Sequence, residues 1–597
     1  MHLSQIAVEN FKGIGTEQVI DVAPITLLFG PNSAGKSTIL QSLHYLREIL
    51  ERNNPDPDQT IAGGLIDLGG FATIVHGHDL SRPIKIRVRL SVRDDHGSER
   101  LTLNSGGSLG EEEFEQLQIR YLVGENTELR ENAVVQEIGL GLEVRWSDLI
   151  QAPYVAKLLV EIDGESVAEI HSPAQEGRAQ LTEFNFGHPL LRAIVDPEDP
   201  TESAEEVLVE TKSDDQAGFR GNPFSTPLGD EIWELSREIS ADAAKGKTVS
   251  FRIAVATGLG ALPALDRPLG IDLVEVDRYK LQQEYLQQQE DPRLHQSGQL
   301  AGRINLEQAR RRGLSALLDE LVLGPVRIVH DYLRTMTYIG PLREIPSRHY
   351  RPRLSPDQNR WAQGLAAWDL LYTSKKGGLL GEVNEWISSD ERLRTGYRLE
   401  KIEFKEVPVP SAFHQLLQNG PEEDDMADLQ ELYASLKTRT EIALRDVVKG
   451  IVVAPSDVGV GVSQMVPVVV SCLREVQGIV AIEQPELHIH PAIQVGIGDL
   501  FIRAIQANEF GFGSGKSLLI ETHSEHIMLR LLRRIRETSG NELPPGVLSL
   551  QPRDLSVIYV EGSDEGVRFR ALRVDGDGDF LDRWPKGFFE ERAEELF

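Results

Sequence analysis

Apolar positions along the chain fall into three patterns, and each predicts a different kind of structure. Leu3-Ser4-Gln5-Ile6-Ala7-Val8 reads as a strand, followed by a turn at Glu9-Asn10-Phe11-Lys12-Gly13. Ile25-Thr26-Leu27-Leu28-Phe29 is an apolar run ended by Gly30, the pattern of a buried strand. Beyond a glycine-rich turn, Ile39, Leu40, Leu43, Leu46, Ile49 and Leu50 recur at helical spacing, so the order is strand, loop, helix. Residues 84 to 190 carry strand-like stretches, of which Ile84-Lys85-Ile86-Arg87-Val88-Arg89-Leu90 alternates with period two. Residues 280–335 predict helix, and the glutamine-rich stretch 282–289 shows no sustained heptad. From residue 450 the pattern is α/β. Gly478-Ile479-Val480-Ala481-Ile482 and Ser517-Leu518-Leu519-Ile520 read as buried strands, and residues 527–535 as a helix bearing Arg530, Arg533 and Arg534. Residues 555–580 predict two or three strands, joined by turns at Gly562-Ser563-Asp564 and Asp575-Gly576-Asp577-Gly578.

The turn between the second strand and its helix carries chemistry. Gly30-Pro31-Asn32-Ser33-Ala34-Gly35-Lys36-Ser37 matches G-x-x-x-x-G-K-[ST] with a strand before it and a helix after it. Glycines let the backbone wrap phosphates with its N–H groups pointing inward. The helix start adds the positive end of its dipole. Gly30, Pro31, Asn32, Ser33, Ala34, Gly35, Lys36, Ser37 and Thr38 are therefore candidate ATP-binding positions. Lys36 would reach the β- and γ-phosphates, and the Ser37 hydroxyl would ligate Mg²⁺. A second glycine-lysine segment, Gly513-Ser514-Gly515-Lys516-Ser517, has Phe510 where the first glycine belongs and precedes a strand, so it reads as a surface loop.

Composition narrows the class. Of 597 residues, 40% are hydrophobic and 26% charged, which fits a soluble globular protein of two or three domains. No apolar run approaches the ~18–20 residues of a membrane span, and the opening residues lack a secretory pattern. A single cysteine, Cys472, excludes a disulfide framework within the chain and fits a cytoplasmic location. The net charge of −31 repels nucleic acid overall and confines any such contact to local basic patches. The acid excess concentrates at 196–215 and 421–431, which read as solvated loops or linkers.

A phosphate loop needs an acid at the end of a second strand, and Glu483 supplies one 447 residues after Lys36 (483 − 36). Such a gap requires a large insertion within the nucleotide domain. Five segments then resemble the SMC/RecF/OLD branch of ABC-type ATPases, a group often described as bacterial AAA family ATPases. They are Val8-Glu9-Asn10-Phe11-Lys12-Gly13, the loop at 30–38, and Gly459-Val460-Gly461-Val462-Ser463-Gln464, followed by Ile482-Glu483-Gln484-Pro485-Glu486-Leu487-His488-Ile489-His490-Pro491 and Glu521-Thr522-His523-Ser524. Trp584-Pro585-Lys586-Gly587-Phe588-Phe589 resembles a short C-terminal domain of unknown function found in one subgroup.

The resemblance implies an α/β fold: an ABC-type P-loop nucleotide-binding domain split by a large α+β insertion, with a short β-rich C-terminal end. The corresponding segments are an N-terminal lobe (1–95), an insertion for sensing or docking (96–335), a connecting region (336–448), a C-terminal lobe (449–550) and the β-rich end (551–597). It implies that Glu483 holds Mg²⁺ through water and that His523 is a switch histidine for the γ-phosphate. Gly461, Ser463 and Gln464 would form a signature segment touching ATP on another subunit, Ser463 starting a helix whose N-terminus suits an anion. Two departures stand out. Gln484 occupies the place of the usual catalytic glutamate; it can orient a water but accepts no proton, which leaves Glu486 as the nearest base. Gly461 stands where serine is commonest.

By the same resemblance, the chain would form a homodimer or higher even oligomer and control a separate effector, a nuclease among the candidates, in bacterial phage defence or DNA maintenance. The rival readings are a non-hydrolysing nucleotide-gated scaffold for a toxin or nuclease and a RecF-like DNA-repair clamp. Arg343, Arg348, Arg351, Arg353 and Arg360, interleaved with His349, Tyr350 and Trp361, and the group Arg310-Arg311-Arg312, are candidate nucleic-acid contacts. Tyr559-Val560-Glu561-Gly562-Ser563-Asp564 and Asp575-Gly576-Asp577 resemble parts of a Toprim nuclease, but the 36 residues after Glu561 are too few for that fold (597 − 561) and read as acidic turns. His488 and His490 are too sparsely accompanied for a metal site.

Overall fold

The computed structural model describes residues 1–57, 59–60, 63–92, 135–173, 179–185, 188, 253–255, 257, 260–266, 269, 271–272, 319–348, 350–353, 359–374, 378–420, 422, 425–506, 516–563 and 566–585. The acidic stretch 196–215, the glutamine run 282–289, Arg310-Arg311-Arg312, His349 and residues 586–589 lie outside them.

The sheet that carries the P-loop has six strands. In spatial order they are Thr337–Ile339, Gly478–Glu483, Lys516–Glu521, Ile25–Phe29, Leu555–Ser563 and Gly566–Leu572. The first five run parallel and the last is antiparallel. Parallel neighbours need crossovers, and helices supply them: Ser37–Arg52 follows the P-loop strand, Pro491–Ile505 the Glu483 strand, and Glu525–Ser539 the Lys516–Glu521 strand.

The central strands of this sheet are buried on both faces, which is why they read as near-continuous apolar runs. Alternate residues enter two different cores. Leu28, Ile479, Ala481, Leu519 and Ile558 join the core formed with the Ser37–Arg52 and Gly324–Arg334 helices. Leu27, Phe29, Val480, Ile482, Leu518 and Ile520 join the opposite core. There they meet helices Leu365–Thr373, Leu379–Ser388, Val460–Leu473, Pro491–Ile505 and Glu525–Ser539.

A nine-stranded antiparallel sheet packs over the first core. Its order is Ile271–Asp272, Ile253–Val255, Ala179–Phe184, Glu165–His171, Ala152–Ile162, Glu137–Ser147, Ile84–Ser91, His2–Glu9 and Gln18–Asp21. The period-two stretch at 84–90 is a strand of this sheet, alternating buried and less buried as its sequence predicts. It pairs with His2–Glu9 on one side and Glu137–Ser147 on the other, so strands from either side of residue 95 share one sheet. The expected turn at Gly562-Ser563 is displaced: both residues still pair, with Val567 and Gly566. Asp575 takes the role of a turn residue, its Oδ1 accepting the backbone N–H groups of Asp577 and Asp579. Among the described residues, no helix is long and apolar enough to cross a membrane.

Candidate functional site

Residues 30–36 join the Ile25–Phe29 strand to the Ser37–Arg52 helix. Pro31, Asn32 and Ser33 are exposed, whereas Ala34, Lys36 and Thr38 are buried. Gly30 is required by close approach: a Cβ there would lie 2.2 Å from the carbonyl oxygen of Val560 on the neighbouring strand. The Lys36 side chain is 3% exposed, and Nζ donates to the carbonyls of Gly30 (3.1 Å) and Pro31 (2.9 Å). Burial lowers its pKa, against the opposing charges of Glu521, Glu486 and Glu483 in that order.

Those three acids arrive from the strand beside the P-loop strand (Glu521), from the next strand out (Glu483) and from the turn that follows it (Glu486). Glu483 ends its strand directly opposite Glu521, and Glu521 lies opposite Leu28. The Ser37 hydroxyl donates to Glu521 Oε2 at 2.6 Å, and Lys36 Nζ lies 3.8 Å from Glu521 Oε1. Glu483 accepts the phenol of Tyr338 at 3.0 Å. Burial, and then the charge of Glu521, push the Glu483 carboxyl up to about 7. Glu486 binds the next segment: Oε2 accepts the Thr522 hydroxyl and Oε1 the backbone N–H of His523, both at 2.7 Å. Burial and then the nearby Lys36 charge lower the His523 pKa. Its Nε2 has no hydrogen-bond partner within the protein among the described residues.

This set fits a Mg²⁺-nucleotide. Hydroxyl and carboxylate oxygens are the ligands Mg²⁺ takes. A buried lysine and an orphaned imidazole nitrogen beside a phosphate loop are groups a triphosphate can engage.

Two family models match the chain. One, described as an AAA ATPase domain, covers residues 1–98. The other covers residues 350–529 and is an AAA domain whose description names the AbiEii toxin of a type IV TA system. Both models describe AAA domains. The two matches take in the two halves of the site, the P-loop in one and Glu483, Glu486 and His523 in the other. No curated protein matches the chain. Similar solved structures include the Smc head domain of Pyrococcus furiosus with an extended coiled coil, bound to the C-terminal domain of ScpA. It aligns at TM-score 0.32 and 11% identity over 100% of this chain and 98% of that one. The SMC head domain of Thermotoga maritima aligns at TM-score 0.32 and 8% identity over 96% of this chain and 100% of that one. At such scores the likeness carries no weight. In the sheet itself, the Lys516–Glu521 strand separates the P-loop strand from the Glu483 strand.

The structure departs from several sequence expectations. The helix expected to carry the signature segment spans Val460–Leu473, capped by Gly459, so Ser463 does not start it. Ser463 is fully buried and its hydroxyl donates to the Pro455 carbonyl at 2.7 Å. Gly459 and Val460 are the exposed residues at this end. Gln464 is buried too, its amide donating to the Arg343 carbonyl at 3.3 Å. The glycine at 461 has a steric reason: a Cβ there would stand 2.4 Å from the His488 carbonyl oxygen. His490 caps the Pro491–Ile505 helix through Nδ1, an ordinary structural task.

The arginine cluster is also dispersed. Arg343 is 3% exposed and donates to the carbonyls of Glu483 (2.7 Å) and Gln484 (3.0 Å), so it braces the acidic strand end and is unavailable to nucleic acid. Arg360 pairs with Asp369 at 2.6 Å, and Trp361 lies buried beneath Arg474. Arg348 is exposed but paired with Asp457 at 2.9 Å, while Arg351 and Arg353 are exposed. Like-signed side chains close in sequence here face inward and outward by turns. Of the inward ones, Arg343 is held by backbone carbonyls and Arg360 by the Asp369 carboxylate.

Sequence reading missed Glu521 and Tyr338 as site residues. Glu521 carried the signal used for Glu483, an acid closing a buried strand. Tyr338 carried none, because its strand is only three residues long, Thr337–Ile339.

The raised pKa of Glu483 has a measurable consequence. The folded protein holds that proton more tightly than the unfolded chain, whose carboxyl titrates near 4.5. The associated stability is present in full below pH 4.5 and is lost as pH rises through about 7. Glu483→Gln removes the charge and keeps an acceptor for Tyr338. In EDTA, this variant should match the unmodified protein in thermal midpoint near pH 5. At pH 8 it should be the more stable by on the order of 1–3 kcal/mol. Parallel pH profiles for the two proteins would contradict the burial of this acid.

Proposed function

We propose that the chain binds and hydrolyses ATP between two copies of itself and uses the resulting closure to control a separate effector. The convergence of Lys36, Ser37, Glu483 and Glu486 with His523 at the P-loop supports the nucleotide role. In this reading Lys36 and the loop N–H groups hold the phosphates, and His523 Nε2 meets the γ-phosphate. Mg²⁺ bound beside Ser37 and Glu483 would offset phosphate charge. The exposed start of the Val460–Leu473 helix would meet ATP held by the other copy through its backbone N–H groups, the Ser463 hydroxyl being committed internally.

Glu486 has both carboxylate oxygens bonded to the switch segment, so its role here is to place His523. Gln484 adopts a left-handed backbone (φ 46°), with its N–H donating to the Glu521 carbonyl at 2.7 Å. Its amide would orient the attacking water, which makes turnover slow. The 350–529 match names a toxin system, and that supports an effector-controlling output in bacterial defence or DNA maintenance.

A second reading, a nucleotide-gated scaffold that does not hydrolyse, is favoured by Gln484. Light scattering with Mg²⁺-ATP separates the two: a switch that hydrolyses doubles its mass and then relaxes as ATP is consumed. A stable doubled mass without released phosphate selects the scaffold. A mass that never responds to nucleotide sinks both.

A further inference from the structure

Glu521 closes the Lys516–Glu521 strand, and its side chain is 9% exposed. Its Oε2 takes the Ser37 hydroxyl at 2.6 Å, and its Oε1 lies 3.8 Å from Lys36 Nζ. Ser37 is the P-loop side chain whose hydroxyl goes to Mg²⁺ in this class of site. Glu483 sits one strand farther from the P-loop strand and is bound by Tyr338 at 3.0 Å. The acid in contact with the metal-seeking hydroxyl therefore belongs to the switch strand.

We propose that Glu521 is the carboxylate that positions Mg²⁺ beside Ser37, with Glu483 standing behind it. The inference rests on the ATP-site reading and adds to it a residue that sequence reasoning left without a role. Three features carry it. Neighbouring strands lie about 4.8 Å apart, so Glu521 starts roughly one strand spacing nearer the P-loop than Glu483 does. Its mounting is rigid. The strand is paired on both sides, the Glu521 carbonyl accepts the Gln484 N–H at 2.7 Å, and Thr522 N–H donates to the Leu28 carbonyl at 3.1 Å. And one hydroxyl with one or two carboxylates, completed by phosphate and water oxygens, is the donor set Mg²⁺ prefers.

The bland alternative is that Glu521 serves only to hold Ser37 and Lys36 in place. Glu521→Gln separates the two, because an amide oxygen still accepts the Ser37 hydroxyl while the charge is gone. Two measurements on the full chain decide it. The first is the Mg²⁺ concentration needed for half-maximal binding of a fluorescent non-hydrolysable ATP analogue. The second is Mn²⁺ binding in the presence of that analogue, read by electron paramagnetic resonance.

Glu521→Gln should raise the Mg²⁺ requirement by at least about tenfold and weaken Mn²⁺ binding to match. Its affinity for the analogue in EDTA should be no weaker than that of the unmodified protein, since the change removes a negative charge from beside the phosphates. Glu521→Asp keeps the charge and should recover most of the metal response; it carries the comparison if the amide variant fails to fold. Unchanged Mn²⁺ affinity in a Glu521→Gln protein that still binds the analogue overturns the proposal. So does a metal defect found in Glu483→Gln and absent from Glu521→Gln. Failure of the unmodified chain to bind the analogue under any condition overturns the ATP reading itself, and this inference with it.

Discussion

Lys36→Ala is expected to lower ATP turnover by roughly 10²–10³-fold, because it removes a fixed positive charge aimed at the phosphates from a desolvated site. Lys36 is 3% exposed and feels three carboxylates, of Glu521, Glu486 and Glu483. Removing it exposes a triphosphate to those acids with no cation to offset them, so nucleotide affinity should fall as well. Steady-state phosphate release and equilibrium binding of a fluorescent ATP analogue, compared with the unmodified protein, measure the two losses. Turnover that survives the change would mean that the hydrolysis observed is not performed at this loop.

Glu486→Ala should produce the second large effect, on both stability and turnover. It strips the Thr522 hydroxyl and the His523 N–H of their shared acceptor inside the protein. A buried donor left without a partner costs about 1–3 kcal/mol, so the thermal midpoint should drop. Turnover should fall by about 10²-fold as His523 loses its placement, the usual cost of a misplaced catalytic group. Glu486→Gln tests whether position or proton transfer is lost. Its amide oxygen accepts one of the two bonds and its NH₂ opposes the other donor. A positioning role gives partial activity with an unaltered pH–rate profile. A profile that loses its acidic limb would instead make Glu486 the proton acceptor and return it to the role its place after Gln484 first implied.

The chain's own letters determined much of this protein. The P-loop is a contiguous pattern whose glycines, lysine and serine act through local backbone geometry, so Gly30 to Ser37 could be read without knowing the fold. Buried parallel strands were legible for a related reason. A strand covered on both faces reads as a near-continuous apolar run, and residues 27–29, 479–482 and 518–520 supply such runs within their strands. The alternation at 84–90 announced a strand with one drier face.

Tertiary structure decided which partners the polar groups meet. The Ser37–Glu521 hydrogen bond joins residues 484 apart, and only the strand order brings them together. Sequence spacing favoured the arginines around 343–360 as one surface patch. The fold instead turns Arg343 inward onto the carbonyls of Glu483 and Gln484 and leaves Arg348 outside. Ser463 looked like the start of a helix until Gly459 proved to be the cap, three residues of helix earlier. Local pattern sets backbone shape because backbone preference is short-ranged. A buried charge or hydroxyl must find a partner wherever the packed sheet and helices place one, and that assignment is long-ranged.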